Sequence, residues 1–432
     1  MEQIRTASDY IKRLLEDKKD VKSQYTVSET KTREITLENG EFTLFRTLFD
    51  RKVSIGVIKD QKPGTISTNS FEEEALKEAL EGAITSSESG TAEEYFDIAG
   101  GMDPAEFEIG VLEADIDGLM KRALEFKEEV EKNYKKILLM QVILKHVKKD
   151  VLYRNTNGSE DTTRMGEYEV MVEFAGNDGT NTTGICGTMA SFKDLNTPLI
   201  ELGSIKRELE NAEKSLNPIP VSGKFEGQVI FTPECFAQML GYSLGVLTTD
   251  AVILDGTSQW KDKIGEKVVS EKLTLSMEPW NDDIITNEVH TGDGFRSENY
   301  TVLDEGVLKS FCVSLYTSNK CKVERAKNSS MDMIVKAGDT SFEDMVKAVK
   351  KGLIVGSISC GRPSTNAELS GVAKNAFYVE DGEIKGAVNE TMVSFNLVEM
   401  LNKISMVSKE RLKDGTMVVP YVCADGILIS GQ

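Results

Sequence analysis

Histidine is almost missing from this chain: two occur in 432 residues, His146 and His290. That excludes the common zinc sites built from several imidazoles within one polypeptide. No apolar run approaches the ~18 residues that a membrane-spanning helix needs. The opening Met1-Glu2-Gln3-Ile4-Arg5 leads into an amphipathic pattern without the apolar core of a secretory signal, so a cytoplasmic protein is expected, with no membrane partner. The six cysteines, Cys186, Cys235, Cys312, Cys321, Cys360 and Cys423, include no C-x-x-C pair, which argues against a disulfide framework or a zinc ribbon. Cationic residues are outnumbered, 51 against 71 acids, for a formal charge of −20. A nucleic-acid backbone would repel such a surface, and the densest cluster, Lys145 to Lys149, falls at the end of an expected strand, so no nucleic-acid partner is expected. Walker, dinucleotide-glycine and G-x-S-x-G patterns are also missing.

What is present is the patterning of an α+β protein. Ile4, Ala7, Ile11, Leu14 and Leu15 share a helical face. Strands follow, with Asn39-Gly40 as a hairpin turn, because both residues accept positive φ. Ser70 and Glu73 have the spacing of a capping box for a helix burying Phe71, Leu76, Leu80 and Ala83. Residues 86–106 read as a linker. A second stretch repeats the order: an amphipathic helix near 113–134, a strand at 137–147, an Asn157-Gly158 turn, further strands, and a helix near 200–215. This implies duplicated αβ units with antiparallel sheets. Asn217-Pro218-Ile219-Pro220 breaks the pattern, giving expected domains at 1–90, 107–217 and 224–432. The last domain opens with a strand at 228–231, then a helix with Thr232 as N-cap and Pro233 in its first turn. Strands are expected to dominate 250–320, and Thr340 with Glu343 to cap another helix ended by Gly352.

Several segments, in matching order along nearly the whole chain, resemble the TldD/PmbA family, also labelled modulator of DNA gyrase. They include Gly64-Thr65-Ile66-Ser67-Thr68-Asn69, Asp304-Glu305-Gly306-Val307-Leu308-Lys309, Tyr378-Val379-Glu380-Asp381-Gly382-Glu383-Ile384, Asn396-Leu397-Val398-Glu399-Met400-Leu401, and the closing Asp425-Gly426-Ile427-Leu428-Ile429-Ser430-Gly431-Gln432. The resemblance implies duplicated units with barrel-like sheet subdomains. It also implies a metalloprotease of two subunit kinds acting on unfolded peptides and maturing some of them. The TldD-like subunit carries zinc on H-E-x-x-x-H; the PmbA-like subunit, also called TldE, does not.

In this chain the matching slot is Gly241-Tyr242-Ser243-Leu244-Gly245-Val246. Gly241 and Val246 stand where the histidines would be, and Tyr242 where the glutamate would be. Glycine and valine cannot bind zinc, and tyrosine is a poor base near neutrality. The glycine-rich segment that carries the family's third ligand, a cysteine, is shortened here to Asp414-Gly415-Thr416, and Cys423 reads as a core thiol. The resemblance thus implies no catalytic or metal-binding residue and no cofactor in this chain. Zinc is expected in a TldD-like partner, unfolded peptides are the expected substrate, and a homodimer is possible when the chain is alone. Substrate-binding residues stay unassigned.

The other candidates each have a plainer reading. His290 beside Asp293 could be a general base, but reads as a solvated loop residue; His146 falls in a strand. Cys360-Gly361-Arg362 could hold a nucleophile, and Cys235, next to Glu234 at a helix N-terminus, a lowered-pKa thiol; buried structural cysteines are the simpler reading. Asp282-Asp283 and Glu72-Glu73-Glu74 read as a solvated loop and a helix-start charge cluster. Two alternatives to the subunit reading stay open: a stand-alone homodimeric peptide-binding protein, and a hydrolase with an unrecognised site.

Overall fold

The computed structural model describes residues 1–431. The N-terminal half contains the same succession twice. Helix α1 (Glu2–Glu16) is followed by strands β1 (Val21–Glu38), β2 (Glu41–Lys59) and β3 (Lys62–Thr68) and helix α2 (Glu73–Glu88). After β4 (Ala105–Gly110) come helix α3 (Ile116–Asn133), strands β5 (Ile137–Asn155), β6 (Glu160–Gly176) and β7 (Cys186–Phe192), and helix α4 (Ile205–Lys214). The two units join through one antiparallel ladder, β1 against β5, from Gln24↔Asn155 to Glu38↔Gln141. The result is a single seven-stranded sheet in the order β3-β2-β1-β5-β6, with β4 and β7 lying along β6.

Local chemistry accounts for much of this. Asn39 and Gly40 take φ values of 50° and 81°, as a two-residue hairpin requires. Ile4, Ala7, Ile11 and Leu15 of α1 are buried with Val27, Val53, Ile55 and the α2 residues Leu76 and Leu80. Leu119, Ala123, Phe126 and Val130 of α3 do the same work against Ile35, Val142, Leu144 and Val170. Each Val, Leu, Ile or Phe among them removed from water contributes roughly 1.5–3 kcal/mol, offset by the entropy of ordering it.

The C-terminal half runs β8 (Lys224–Phe231), α5 (Pro233–Leu247), α6 (Asp250–Leu254), β9 (Leu275–Met277), β10 (Tyr300–Asp304), β11 (Val307–Leu308), α7 (Leu315–Cys321), β12 (Met333–Val335), α8 (Phe342–Ala348), β13 (Lys351–Cys360), β14 (Glu368–Glu380), β15 (Glu383–Val388), β16 (Met392–Asn396), α9 (Leu397–Asn402), β17 (Ile404–Lys413) and β18 (Val418–Ser430). Strands β8, β13, β14, β16 and β18 pair in that order, and β18 returns to β8, closing a five-stranded barrel. Alternate residues face opposite ways: Val229, Phe231, Val355 and Val422 join α5, whereas Ile230, Ile354 and Cys423 join α8. The fold is therefore α+β, with duplicated units, a curled sheet and a barrel.

Several local expectations are corrected. Residues 250–299 are mostly irregular; Ile253 enters the core from the short helix α6, and Trp260, Val268 and Leu273 enter it singly from turns and loops, which gives apolar content without strand pairing. Glu72, not Ser70, is the N-cap of α2, while Ser70 Oγ accepts the Glu72 N–H at 3.1 Å. Ser341 rather than Thr340 caps α8, accepting from Asp344 N at 3.1 Å. Gly352 does not end that helix. It lies in β13 opposite Gln228, where a Cβ would stand 1.8 Å from the Gln228 carbonyl oxygen. The 145–149 cluster sits inside β5, which continues to Asn155.

Candidate functional site

Helix α5 carries the slot. Thr232 Oγ1 accepts from Cys235 N at 3.4 Å, and Pro233 opens the helix where no backbone donor is needed. Phe236, Met239, Leu240 and Leu244 are buried and fix the helix on the barrel. The opposite side carries Gly241, Tyr242, Gly245 and Val246, none of them fully buried. A Cβ at Gly241 would lie 3.9 Å from Met333 Cε and 4.0 Å from Met331 Cε. Tyr242 Oη accepts a long hydrogen bond from Gln238 Nε2 (3.4 Å), and Cys360 Sγ lies 4.0 Å away.

At the N-terminus of the same helix lies a charged cluster that sequence reasoning did not find. Arg207 of α4 pairs with both Glu208 and Glu234, and donates to Tyr421 Oη at 3.2 Å. Burial pushes the Glu208 carboxyl up; Arg207 opposes this and Glu234 adds to it. Burial works against the Arg207 charge, yet Glu234, Tyr421 and Glu208 hold its pKa above the usual arginine value. Glu234 Oε2 is buried without a hydrogen-bond partner. The cluster lies beside a cleft of about 880 Å³ between the N-terminal sheet and the barrel, lined by Cys186, Met189, Glu208, Glu234, Lys374 and Asp414 among others. Its members come from α4, α5 and β18, so no local spacing announces it.

Both histidines are engaged elsewhere. His146 sits in β5 with Nε2 2.7 Å from the Val111 carbonyl oxygen, packed against Tyr168. His290 is not a solvated loop residue. Its side chain is 12% exposed, its ring stacks on Tyr153 at 4.5 Å, and its Nε2 lies 2.8 Å from Asp161 Oδ2. Asp293 serves another purpose, accepting from Leu315 N at 2.7 Å. Cys423 is wholly buried in β18 and its thiol is pushed up to about 12 by burial. Cys235 is likewise buried, and burial raises its pKa rather than the helix dipole lowering it. Cys360 ends β13, and no histidine lies next to it in the chain. Asp283 pairs with Lys413 at 2.8 Å. Glu73 and Glu74 occupy the first turn of α2.

Comparison with known proteins supplies the family. The PmbA/TldA metallopeptidase C-terminal domain profile matches residues 222–431, and the PmbA/TldA metallopeptidase domain 1 profile matches residues 26–87. The chain belongs to the PmbA/TldD family. A zinc metalloprotease TldD homolog of Saccharolobus solfataricus is 24% identical over 230 residues, covering 49% of this chain and 51% of that protein. A metalloprotease PmbA homolog of Haemophilus influenzae is 21% identical over 419 residues, covering 92% and 88%. The alignments with the first three curated relatives span about half the length of those proteins, 48%, 52% and 51%. The crystal structure of TldE from Thermococcus kodakarensis superposes with a TM-score of 0.84 at 21% identity, covering 98% of this chain and all of that one, which fixes the shared fold.

Zinc, which the PmbA/TldD family implies, does not fit the residues present in the α5 slot. Gly241 and Val246 bring no donor atom, and the neighbouring groups are thioethers, a phenol and a thiol. Among the described residues no three His, Cys, Asp or Glu side chains are grouped so as to hold a metal ion. No helix among them is long and apolar enough to cross a membrane.

Proposed function

We propose that this chain is the non-catalytic, PmbA/TldE-like subunit of a zinc metalloprotease that degrades or matures unfolded peptides, with the zinc carried by a TldD-like partner. One observation carries the reading: in a chain that shares the fold over 98% of its residues, the α5 slot holds Gly241, Tyr242 and Val246, while His146 and His290 are committed to contacts elsewhere. Hydrolysis by zinc needs fixed ligands, an open coordination position and a carboxylate to take a proton from water. The chain's contribution is then architectural: it completes the complex and helps hold an extended substrate.

The test is an assay on casein or an unstructured peptide with this chain alone, the TldD-like subunit alone, and both together. Zinc-dependent cleavage is expected from the pair and not from this chain. Chelator-sensitive cleavage by the purified chain alone would overturn the reading.

A further inference from the structure

The internal duplication shows a covered sheet edge in one unit and a bare one in the other. Along β6, β4 pairs in parallel with Asp161–Gly166 and β7 pairs with Tyr168–Phe174, so the whole edge is covered. Along β2, β3 covers only Val53–Lys59. Residues 41–52 have β1 on one side and, among the described residues, no strand on the other. Every one of these residues except Phe42 is exposed, including Phe45 (53%) and Phe49 (64%) on one face and Leu44 and Leu48 on the other. A free edge of ~40 Å at ~3.4 Å per residue, apolar on both faces, invites strand pairing unless something covers it.

Two arginines show what the covering strand offers. Gly40 to Arg46 and Gly158 to Arg164 span the same distance along the chain. Each arginine lies in register with an acid of the preceding strand, Arg46 with Glu34 and Arg164 with Asp150. Arg164 Nη1 also bonds Glu108 Oε1 of β4 at 2.7 Å. Arg46 has its Glu34 contact at 2.8 Å, and its side chain is otherwise 45% exposed. The bare edge carries Arg46, Arg51 and Lys52 against Glu41 and Asp50, an excess of one cation in a chain of charge −20; Arg46 and Arg51 also pair with Glu34 and Glu29 of β1, just as Arg164 lies near Asp150 while bonding Glu108 of the covering strand. The strand that covers β6 reads Glu106-Phe107-Glu108-Ile109, alternating carboxylates with apolar side chains.

We propose that the β2 edge, residues 41–52, is the docking site for a β-strand of alternating acidic and apolar residues supplied by the partner subunit, extending the N-terminal sheet across the complex. A second copy of this chain fits less well, because its matching edge brings the same excess of cations. The inference rests on the two-subunit reading above and adds where the subunits meet.

The experiment is hydrogen exchange read by mass spectrometry on the full chain, alone and mixed with the TldD-like subunit. It is paired with affinity measurements on Arg46→Glu and on the double variant Phe45→Asp/Phe49→Asp. Phe45 and Phe49 are exposed, so the double variant keeps the parent melting curve; Arg46→Glu sets a second carboxylate against the buried Glu34 and melts lower, and its affinity is measured at a temperature where its melting curve shows it folded. The expected result is slowed exchange at 41–52 only in the complex, and affinity reduced about tenfold or more by each variant, which is ~1.4 kcal/mol or more. A complex that forms with 41–52 still exchanging freely, or with both variants binding normally, overturns the docking site and leaves the subunit reading standing. Failure to form any complex overturns both. Protection of 41–52 in the chain alone assigns the edge to self-association and also overturns the proposal.

Discussion

His290 Nε2 stands 2.8 Å from Asp161 Oδ2, although the two residues belong to different halves of the molecule, a loop of the C-terminal half and strand β6 of the sheet. Arg296 bonds both oxygens of the same carboxylate, at 2.8 and 2.7 Å, and Ala105 N donates to Oδ1 at 2.8 Å. The Asp161 side chain is fully buried. The contact is a joint between the sheet and the barrel half, and it holds the His290 ring against Tyr153 and the Asp161 carboxylate.

Asp161→Asn removes the charge that Arg296 and His290 face while keeping the shape. Breaking a buried pair of this kind costs about 3–5 kcal/mol when both partners are buried. Arg296 is one-third exposed, so a loss of about 2 kcal/mol is expected. Urea unfolding of the variant measures it, and an unchanged midpoint would show that the joint carries no weight.

Acid should loosen the same joint. Burial alone would raise Asp161, but Arg296, His290 and the Ala105 N–H hold it below the usual carboxylate value. Its contribution is present above the unfolded value of ~3.9 and is lost as pH falls through the lower folded value. Burial lowers the His290 pKa despite Asp161, so its share is present above ~6.5 and falls as acid protonates the unfolded ring. Melting temperatures should therefore fall more steeply for the parent than for Asp161→Asn below pH ~3.9, where Asp161 titrates, while between pH 7 and pH 5 the variant, whose His290 has lost the support of Asp161, should fall at least as steeply.

Glu167 in β6 works in the opposite sense. Burial, reinforced by Glu169, raises its pKa to about 7, and its Oε2 has no hydrogen-bond partner. The folded state therefore holds this proton more tightly. The associated stability is present below the unfolded value of ~4.3 and is lost as pH rises through about 7. Glu167→Gln should stabilise the protein at pH 8 by on the order of 2 kcal/mol and change little at pH 4.5. Equal effects at both pH values would contradict this account.

Features set by neighbouring residues could be read from the chain itself. Asn39-Gly40 needed only its own φ preferences, and the buried face of α1 only its period. The Thr232 cap was visible because Pro233 follows it. The barrel closure was not legible, since β18 meets β8 across nearly the whole C-terminal half and apolar strands pair equally well in many orders. The Arg207 cluster and the His290–Asp161 joint have partners far apart in sequence, so neither leaves a spacing to find. Gly352 was misread because a glycine after a helix usually ends it; here it allows β13 to approach β8.

Two glycine substitutions should move stability in opposite directions. Gly352→Ala drives a methyl into the Gln228 carbonyl across the parallel β8–β13 pairing, and backbone cannot give way as a flexible side chain can. A loss of about 3 kcal/mol or more is expected, at the upper end of overpacking costs. Gly245→Ala lies in α5 with nothing within 4 Å of the new methyl. It should gain about 0.5–1 kcal/mol from helix propensity. Thermal melts of both variants check the pair of signs.

Thiol reactivity tests whether the buried cysteines are structural rather than catalytic. A nucleophilic cysteine needs a thiolate near neutral pH, held by a base or cation beside it. Burial pushes Cys423 up to about 12 and raises Cys235 and Cys312 as well, and both histidines have other partners. Iodoacetamide at pH 7.5 should leave Cys235, Cys312 and Cys423 unmodified in the native chain and label all three once it is unfolded in urea. Peptide mapping by mass spectrometry reads this residue by residue. If one of the three alkylated in the native protein faster than a free thiol, it would have to be activated by a group absent from its surroundings here, and the case for a self-sufficient hydrolase would reopen at that residue.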